Sequence, residues 1–109
     1  MQVHYASGKA AIVNMTWTAA ATLAPHGIRV NAVVPGIVET PMWDSIDKQL
    51  EEMYGVTGGQ YRQERAAQIP LGRLEKAEDV AAAVAFLVGP DASYITGQSL
   101  NVDGGFVMR

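Results

Sequence analysis

Only two stretches of this chain read as strands, the short β-branched run Ile28-Arg29-Val30-Asn31-Ala32-Val33-Val34 and a brief one around Ser99 to Val102, and that scarcity limits the folds open to it. The β-branched residues of the first are the mark of a largely buried strand of the parallel type. Two parallel strands make a poor sheet, because both outer edges and both faces need cover. A chain built this way is expected to be part of something longer or to be completed by a partner. With 109 residues and 49% hydrophobic content it can still build one core, so residues 1–109 read as a single unit.

Helical patterns fill the space around the strands. Ile12, Met15, Ala19 and Leu23 recur at three- and four-residue steps and predict a helix over 6–24 with one buried face, stopped by Pro25-His26-Gly27. After the first strand, Pro35-Gly36 turns the chain into a polar excursion over about 37–73, with short helices predicted at 42–54 and 60–68 around the Gly55-Val56-Thr57-Gly58-Gly59 interruption. A last helix over 78–88 starts with Glu78 and Asp79, where carboxylates suit the positive end of the dipole, and stops at Gly89-Pro90. The order helix, strand, helices, helix, strand defines an α/β chain, the tail of a doubly wound parallel sheet.

Composition removes several functions. Eight Lys and Arg against 11 Asp and Glu give a net charge of −3, the wrong sign for a nucleic-acid partner. The absence of Cys excludes disulfides, zinc thiolates and a cysteine nucleophile, and is compatible with the reducing cytoplasm, the expected location. His4 and His26 lack neighbours at ligand spacing, so no metal site is expected. The longest apolar run, Val80 to Val88, is nine residues, about half of the ~18 a membrane span needs. Met1 to Tyr5 has no signal-peptide pattern.

Two groups of residues carry chemistry. Tyr5 and Lys9 lie four apart and so project from one helix face. Phenols ordinarily ionise near pH ~10, and one ammonium at ~4.5 Å in an effective dielectric of ~20 favours the phenolate by about 4 kcal/mol. The pair therefore fits a tyrosine acid/base with a lysine activator, although the same spacing is common on solvated helix faces. The second group is Pro35-Gly36-Ile37-Val38-Glu39-Thr40, at the carboxyl end of the first strand, where ligands of open α/β sheets bind. Exposed amides after the turn and the Thr40 hydroxyl suit a carboxamide. Asp103 before two glycines reads as a turn former, and Glu51, Glu52, Glu75, Glu78 and Asp79 read as solvated or first-turn carboxylates.

Taken in order, Tyr5-Ala6-Ser7-Gly8-Lys9, Asn31 to Thr40, Pro70-Leu71-Gly72-Arg73 with Glu78-Asp79-Val80-Ala81, Ile95-Thr96-Gly97-Gln98 and Val102-Asp103-Gly104-Gly105 resemble the C-terminal part of the short-chain dehydrogenase/reductase family. The resemblance covers nearly the whole chain but only the latter portion of a Rossmann-like fold. It implies that Tyr5 is the catalytic acid/base, that Lys9 binds the nicotinamide ribose and lowers the tyrosine pKa, and that Pro35, Gly36, Val38 and Thr40 line the nicotinamide end of an NAD or NADP site. The excursion over 37–73 would be the substrate lid, with Met42, Trp43 and Tyr54 as contacts for a small alcohol or ketone. Packing serves equally as a role for these three. Gly8 stands where the family more often has Ser or Thr.

No glycine-rich strand-to-helix turn for a pyrophosphate occurs, and the family's catalytic serine and asparagine have no place before Tyr5. The N-terminal half of the fold is thus expected to be absent, leaving a fragment inactive by itself. The run from Thr40 to Asp47 is similar to polyol and diol members such as sorbitol and acetoin/butanediol dehydrogenases. A 3-oxoacyl-carrier-protein reductase is the alternative within the enzymes, with Lys48, Arg62, Arg65 and Arg73 available to meet an acidic carrier. A non-catalytic association module is the alternative outside them, since the sheet edge and apolar helices want partners, and the resemblance implies dimers or tetramers of the full-length form.

Overall fold

The computed structural model describes residues 3–55 and 59–107. Val56, Thr57 and Gly58 of the expected interruption, and Met1 and Gln2 at the start, lie outside the described residues. Among the described residues the α-helices α1 (Val3–Leu23), α2 (Met42–Tyr54), α3 (Gln60–Ala67) and α4 (Ala77–Val88) accompany the strands β1 (Ala32–Pro35) and β2 (Ser99–Val102). Short 3-10 turns follow α1 and α4, at Ala24–His26 and Pro90–Ala92. The strands pair in parallel: Ala32 N–H donates to Gln98 O at 2.8 Å, and four residues further on Gly36 N–H donates to Val102 O at 3.0 Å. The α/β class and the two-stranded sheet are thus as the sequence implies. No helix among the described residues is long and apolar enough to cross a membrane.

The first strand is shorter than its β-branched run. Val30 N–H donates to Thr96 Oγ1 at 3.0 Å, and Asn31 donates through Nδ2 to Ile95 O and accepts from Gln98 N–H through Oδ1, each at 2.9 Å. Side chains thus satisfy part of the backbone that a ladder would otherwise serve, beside one backbone bond from Gly97 N–H to Val30 O at 2.7 Å, and the regular strand begins at Ala32.

Two compact units make up the chain, Met1–Val34 with Ala83–Leu100, and Pro35–Ala82 with Asn101–Arg109. In the first, α1 ends where the sequence requires: Gly27 takes φ 71° and donates its N–H to Ala24 O. The buried stripe on α1 is Thr16 and Ala20, whereas Ile12 and Met15 are 51% and 67% exposed. The expected face is therefore corrected. Apolar residues lie on every side of α1, so period alone does not select the inward face, and Ala20 is small enough to pack against Gly97. Arg29 closes the end of α4, donating to Leu87 O at 2.6 Å and, at 3.4 Å each, to Val88 O, Gly89 O and Ile95 O.

In the second unit Trp43, Ile69 and Leu74 form a buried cluster, joined by the partly buried Ile37, Ile46, Tyr61 and Ala66. Arg62 of α3 ties this excursion together, meeting Asp44 at 2.6 Å and Asp47 at 2.8 Å on α2.

Candidate active site

Tyr5 and Lys9 occupy the first turns of α1, one helical turn apart, as their spacing demands. The Lys9 ammonium lies 5.5 Å from the centroid of the Tyr5 ring, and Tyr5 is 57% exposed. An accessible phenol with an ammonium near its ring can exchange a proton with a small molecule. Gly8 has nothing within 4 Å of the place its Cβ would occupy, so the departure at that position leaves the geometry of the pair unhindered.

Pro35, Gly36, Val38 and Thr40 belong to the second unit, at the end of β1. Gly36 is required by a close approach within the chain: a Cβ there would stand 2.8 Å from the Asp103 Cβ and 2.9 Å from its Cα. Its N–H donates to Val102 O and, at 2.7 Å, to Glu75 Oε2. Glu75 also pairs through its backbone, receiving Glu39 N–H at 2.7 Å and donating to Ile37 O at 3.0 Å, a parallel bridge opposite Val38. Successive peptide groups of an extended segment point to opposite sides. Val38 O accordingly accepts the Trp43 indole N–H at 2.9 Å, while Val38 N–H and the Thr40 hydroxyl engage no partner among the described residues. A free amide and a free hydroxyl two residues apart match the donors that a carboxamide needs, so these residues fit the amide end of a nicotinamide.

Glu75 corrects the expectation that it is a solvated carboxylate: it is 6% exposed. Burial pushes its carboxyl above the ordinary range, the Gly36 N–H opposes this, Asp79 and Asp103 add to it, and Arg73 works against them. Asp79, by contrast, is held down to about 2, first by hydrogen bonds from Arg73 at 2.6 and 2.9 Å and then by Lys76 N–H at 2.8 Å. The Lys76 contact is the reciprocal half of a capping box at the start of α4. Asp103 is the turn former expected, accepting Gly105 N–H through Oδ1 and Val107 N–H through Oδ2, each at 3.0 Å. Leu71, Arg73, Glu75, Asp79, Val102 and Asp103 border a cavity of about 290 Å³.

Of the expected lid contacts, Trp43 is a core residue, 6% exposed, its indole committed to Val38. Met42 and Tyr54 stand exposed on α2. Among the described residues no group of three or more His, Asp or Glu could hold a metal ion. Glu75 is what the sequence reading missed. It stands two residues ahead of a helix whose first turn is itself acidic, and nothing in the residue types separates the buried carboxylate from Glu78 and Asp79.

Comparison with known proteins gives the family. A family profile described as enoyl-(acyl carrier protein) reductase matches residues 1–107. The chain belongs to the short-chain dehydrogenase/reductase family, whose members are oxidoreductases, and it matches the C-terminal portion of the family fold. A diacetyl reductase, (S)-acetoin forming, of Staphylococcus aureus is 46% identical over 105 residues, covering 96% of this chain and 41% of the relative. The 3-oxoacyl-[acyl-carrier-protein] reductase of Thermotoga maritima is 41% identical over 107 residues, 98% of this chain and 39% of the relative. Among solved structures, sorbitol-6-phosphate 2-dehydrogenase from Erwinia amylovora superposes with a TM-score of 0.87 at 34% identity, covering 96% of this chain and 41% of that one. The chain thus spans about two fifths of the length of the relatives it matches.

Proposed function

We propose that this chain is the portion of an NAD(P)-dependent oxidoreductase that carries the proton-transfer pair, the amide end of the cofactor site and the substrate lid. The observation that carries the reading is the placement of Tyr5 and Lys9 one turn apart with an exposed phenol, in a chain of this family. Tyr5 gives or takes the proton on the substrate oxygen through its hydroxyl. Lys9 holds the ribose hydroxyls and supplies the positive charge beside that oxygen. Val38 N–H and Thr40 Oγ1 bind the carboxamide, and Pro35 and Gly36 shape the backbone beneath it. NAD or NADP supplies, when bound, the hydride acceptor or donor for the alcohol or ketone carbon.

The substrate we propose is a small polyol or diol, or the matching ketone, with Met42 exposed on α2 as a contact and Trp43 both fixing the start of that helix and forming the wall behind it. The names of the diacetyl reductase and the sorbitol-6-phosphate dehydrogenase support this choice. A carrier-protein reductase is the second reading, favoured by the family profile's description and the Thermotoga maritima relative. Of the four basic residues that could meet an acidic carrier, Arg62 and Arg73 are committed to Asp44, Asp47 and Asp79, which favours the small substrate.

A chimaera decides between activity and association. This chain replaces the corresponding part of the Staphylococcus aureus diacetyl reductase, and NADH- and NADPH-linked reduction of diacetyl is followed. Turnover is expected in the chimaera and not in the 109-residue chain alone. Tyr5→Phe is expected to lower turnover by about 10²- to 10⁴-fold while cofactor affinity changes by less than about twofold. Near-normal turnover in the Phe variant removes Tyr5 from the mechanism. Assembly without any dinucleotide-linked activity favours the association module.

A further inference from the structure

We infer that Glu75 is a positioning residue: its side chain and backbone together hold Gly36 to Glu39 in the one arrangement that leaves Val38 N–H free to bind a ligand. Three hydrogen bonds from a single residue reach this segment, Gly36 N–H to Glu75 Oε2 at 2.7 Å, Glu39 N–H to Glu75 O at 2.7 Å and Glu75 N–H to Ile37 O at 3.0 Å. The two backbone bonds consume the peptide groups on one side of the segment, so the groups at Val38 are directed to the other side. Trp43 takes the carbonyl there, and the amide is left over. On its far flank Gly36 abuts Asp103, where even a methyl group would collide. Gly36 is therefore gripped from two directions, and the carboxylate of Glu75 is one of the jaws.

The side chain does this under load. It is buried, and among the described residues its second oxygen, Oε1, has no hydrogen-bond partner, so there the contact to Gly36 is the only direct one that repays removing the carboxylate from water. The charged groups acting on it are Asp79 at the start of α4, Asp103 after β2 and Arg73 in the preceding loop, two negative and one positive. A carboxyl so placed takes up its proton at higher pH than an exposed one, and the Gly36 amide, bonded to it directly, reports that event.

The identity of the ligand at Val38 rests on the function proposed above, whereas the grip itself does not, and the test separates them. The 109-residue chain is labelled with ¹⁵N, and the Gly36 and Val38 amide resonances are followed from about pH 3 to about pH 8 in wild type, Glu75→Gln and Glu75→Ala. In wild type Gly36 is expected far downfield and to titrate with a midpoint above the ordinary carboxylate range. Glu75→Gln keeps an acceptor for Gly36, so the downfield position survives and the titration vanishes. Glu75→Ala removes the acceptor, so the resonance moves upfield and its hydrogen exchange accelerates by about tenfold or more.

Nicotinamide mononucleotide, added at millimolar concentration, is expected to shift Val38 in wild type and in Glu75→Gln but not in Glu75→Ala. A residue of merely structural importance would not give the Gln rescue together with the loss of titration. A Gly36 resonance indifferent to both substitutions overturns the inference. Should Glu75→Ala fail to fold, the comparison of wild type with Glu75→Gln still decides it. If Gly36 behaves as expected while the mononucleotide leaves Val38 unmoved in wild type, the positioning role stands and the cofactor assignment at Val38 falls.

Discussion

Helix α1 and the α2–α3 pair contain the same amount of helix, 21 residues against 13 and 8, yet they stand on different footings. Along α1 only Thr16 and Ala20 are buried, and Ile12, Met15 and Trp17 face water. The α2–α3 excursion is poorer in apolar residues but gathers them on one side, where Trp43, Ile46, Tyr61 and Ala66 meet Ile69 and Leu74, and it adds the Arg62 clamp to Asp44 and Asp47. Apolar content and apolar arrangement are separate quantities. An amphipathic pattern can be satisfied locally, whereas a helix apolar all round is one that a larger core surrounds. The excursion is thus held by contacts written into its own stretch of chain, and α1 carries apolar surface beyond what its own unit covers.

Substitutions in the two regions should separate them. Trp43→Ala removes the largest side chain of the excursion's cluster and is expected to cost about 3 to 5 kcal/mol in urea unfolding followed by circular dichroism. Ile12→Ala, on an exposed side of α1, is expected to stay within about 0.5 kcal/mol under the same conditions. Equal losses at both positions would erase the contrast. Gly36→Ala drives a methyl group into Asp103 and is expected to cost about 1 to 3 kcal/mol in the same assay. An effect near zero would show that the Gly36 turn yields easily. The smallest effect has the opposite sign: Gly8→Ala in α1 meets nothing within 4 Å and should raise thermal stability by about 0.5 to 1 kcal/mol, since only helix propensity changes.

Much of this architecture is legible in residue order. Pro25-His26-Gly27 marks the end of α1, Met42 to Tyr54 delimits α2, and Ser99 to Val102 is β2, because turn chemistry and local period decide each of them within a few residues. The motif order likewise carries the family. What escapes is set by contacts distant in sequence. Thr96 and Gln98, more than 60 positions away, decide where β1 starts, and Ala20 is chosen over Ile12 by its neighbour Gly97. Glu75 is concealed for the same reason, since its partner Gly36 lies 39 residues earlier and no local pattern betrays a carboxylate that packing will enclose.

The corner where α4 begins has two carboxylates leaning in opposite directions. Asp79, held down to about 2 by Arg73 and Lys76, contributes stability at pH values above its ordinary 3.8 and surrenders it as acid approaches the lower figure. Glu75, pushed upward by burial, contributes most when protonated and gives that contribution up as alkali carries it through its raised value. The junction is consequently most secure in mildly acidic solution, where one acid is fully ionised and the other still holds its proton, and each departure from that window loosens it through a different residue.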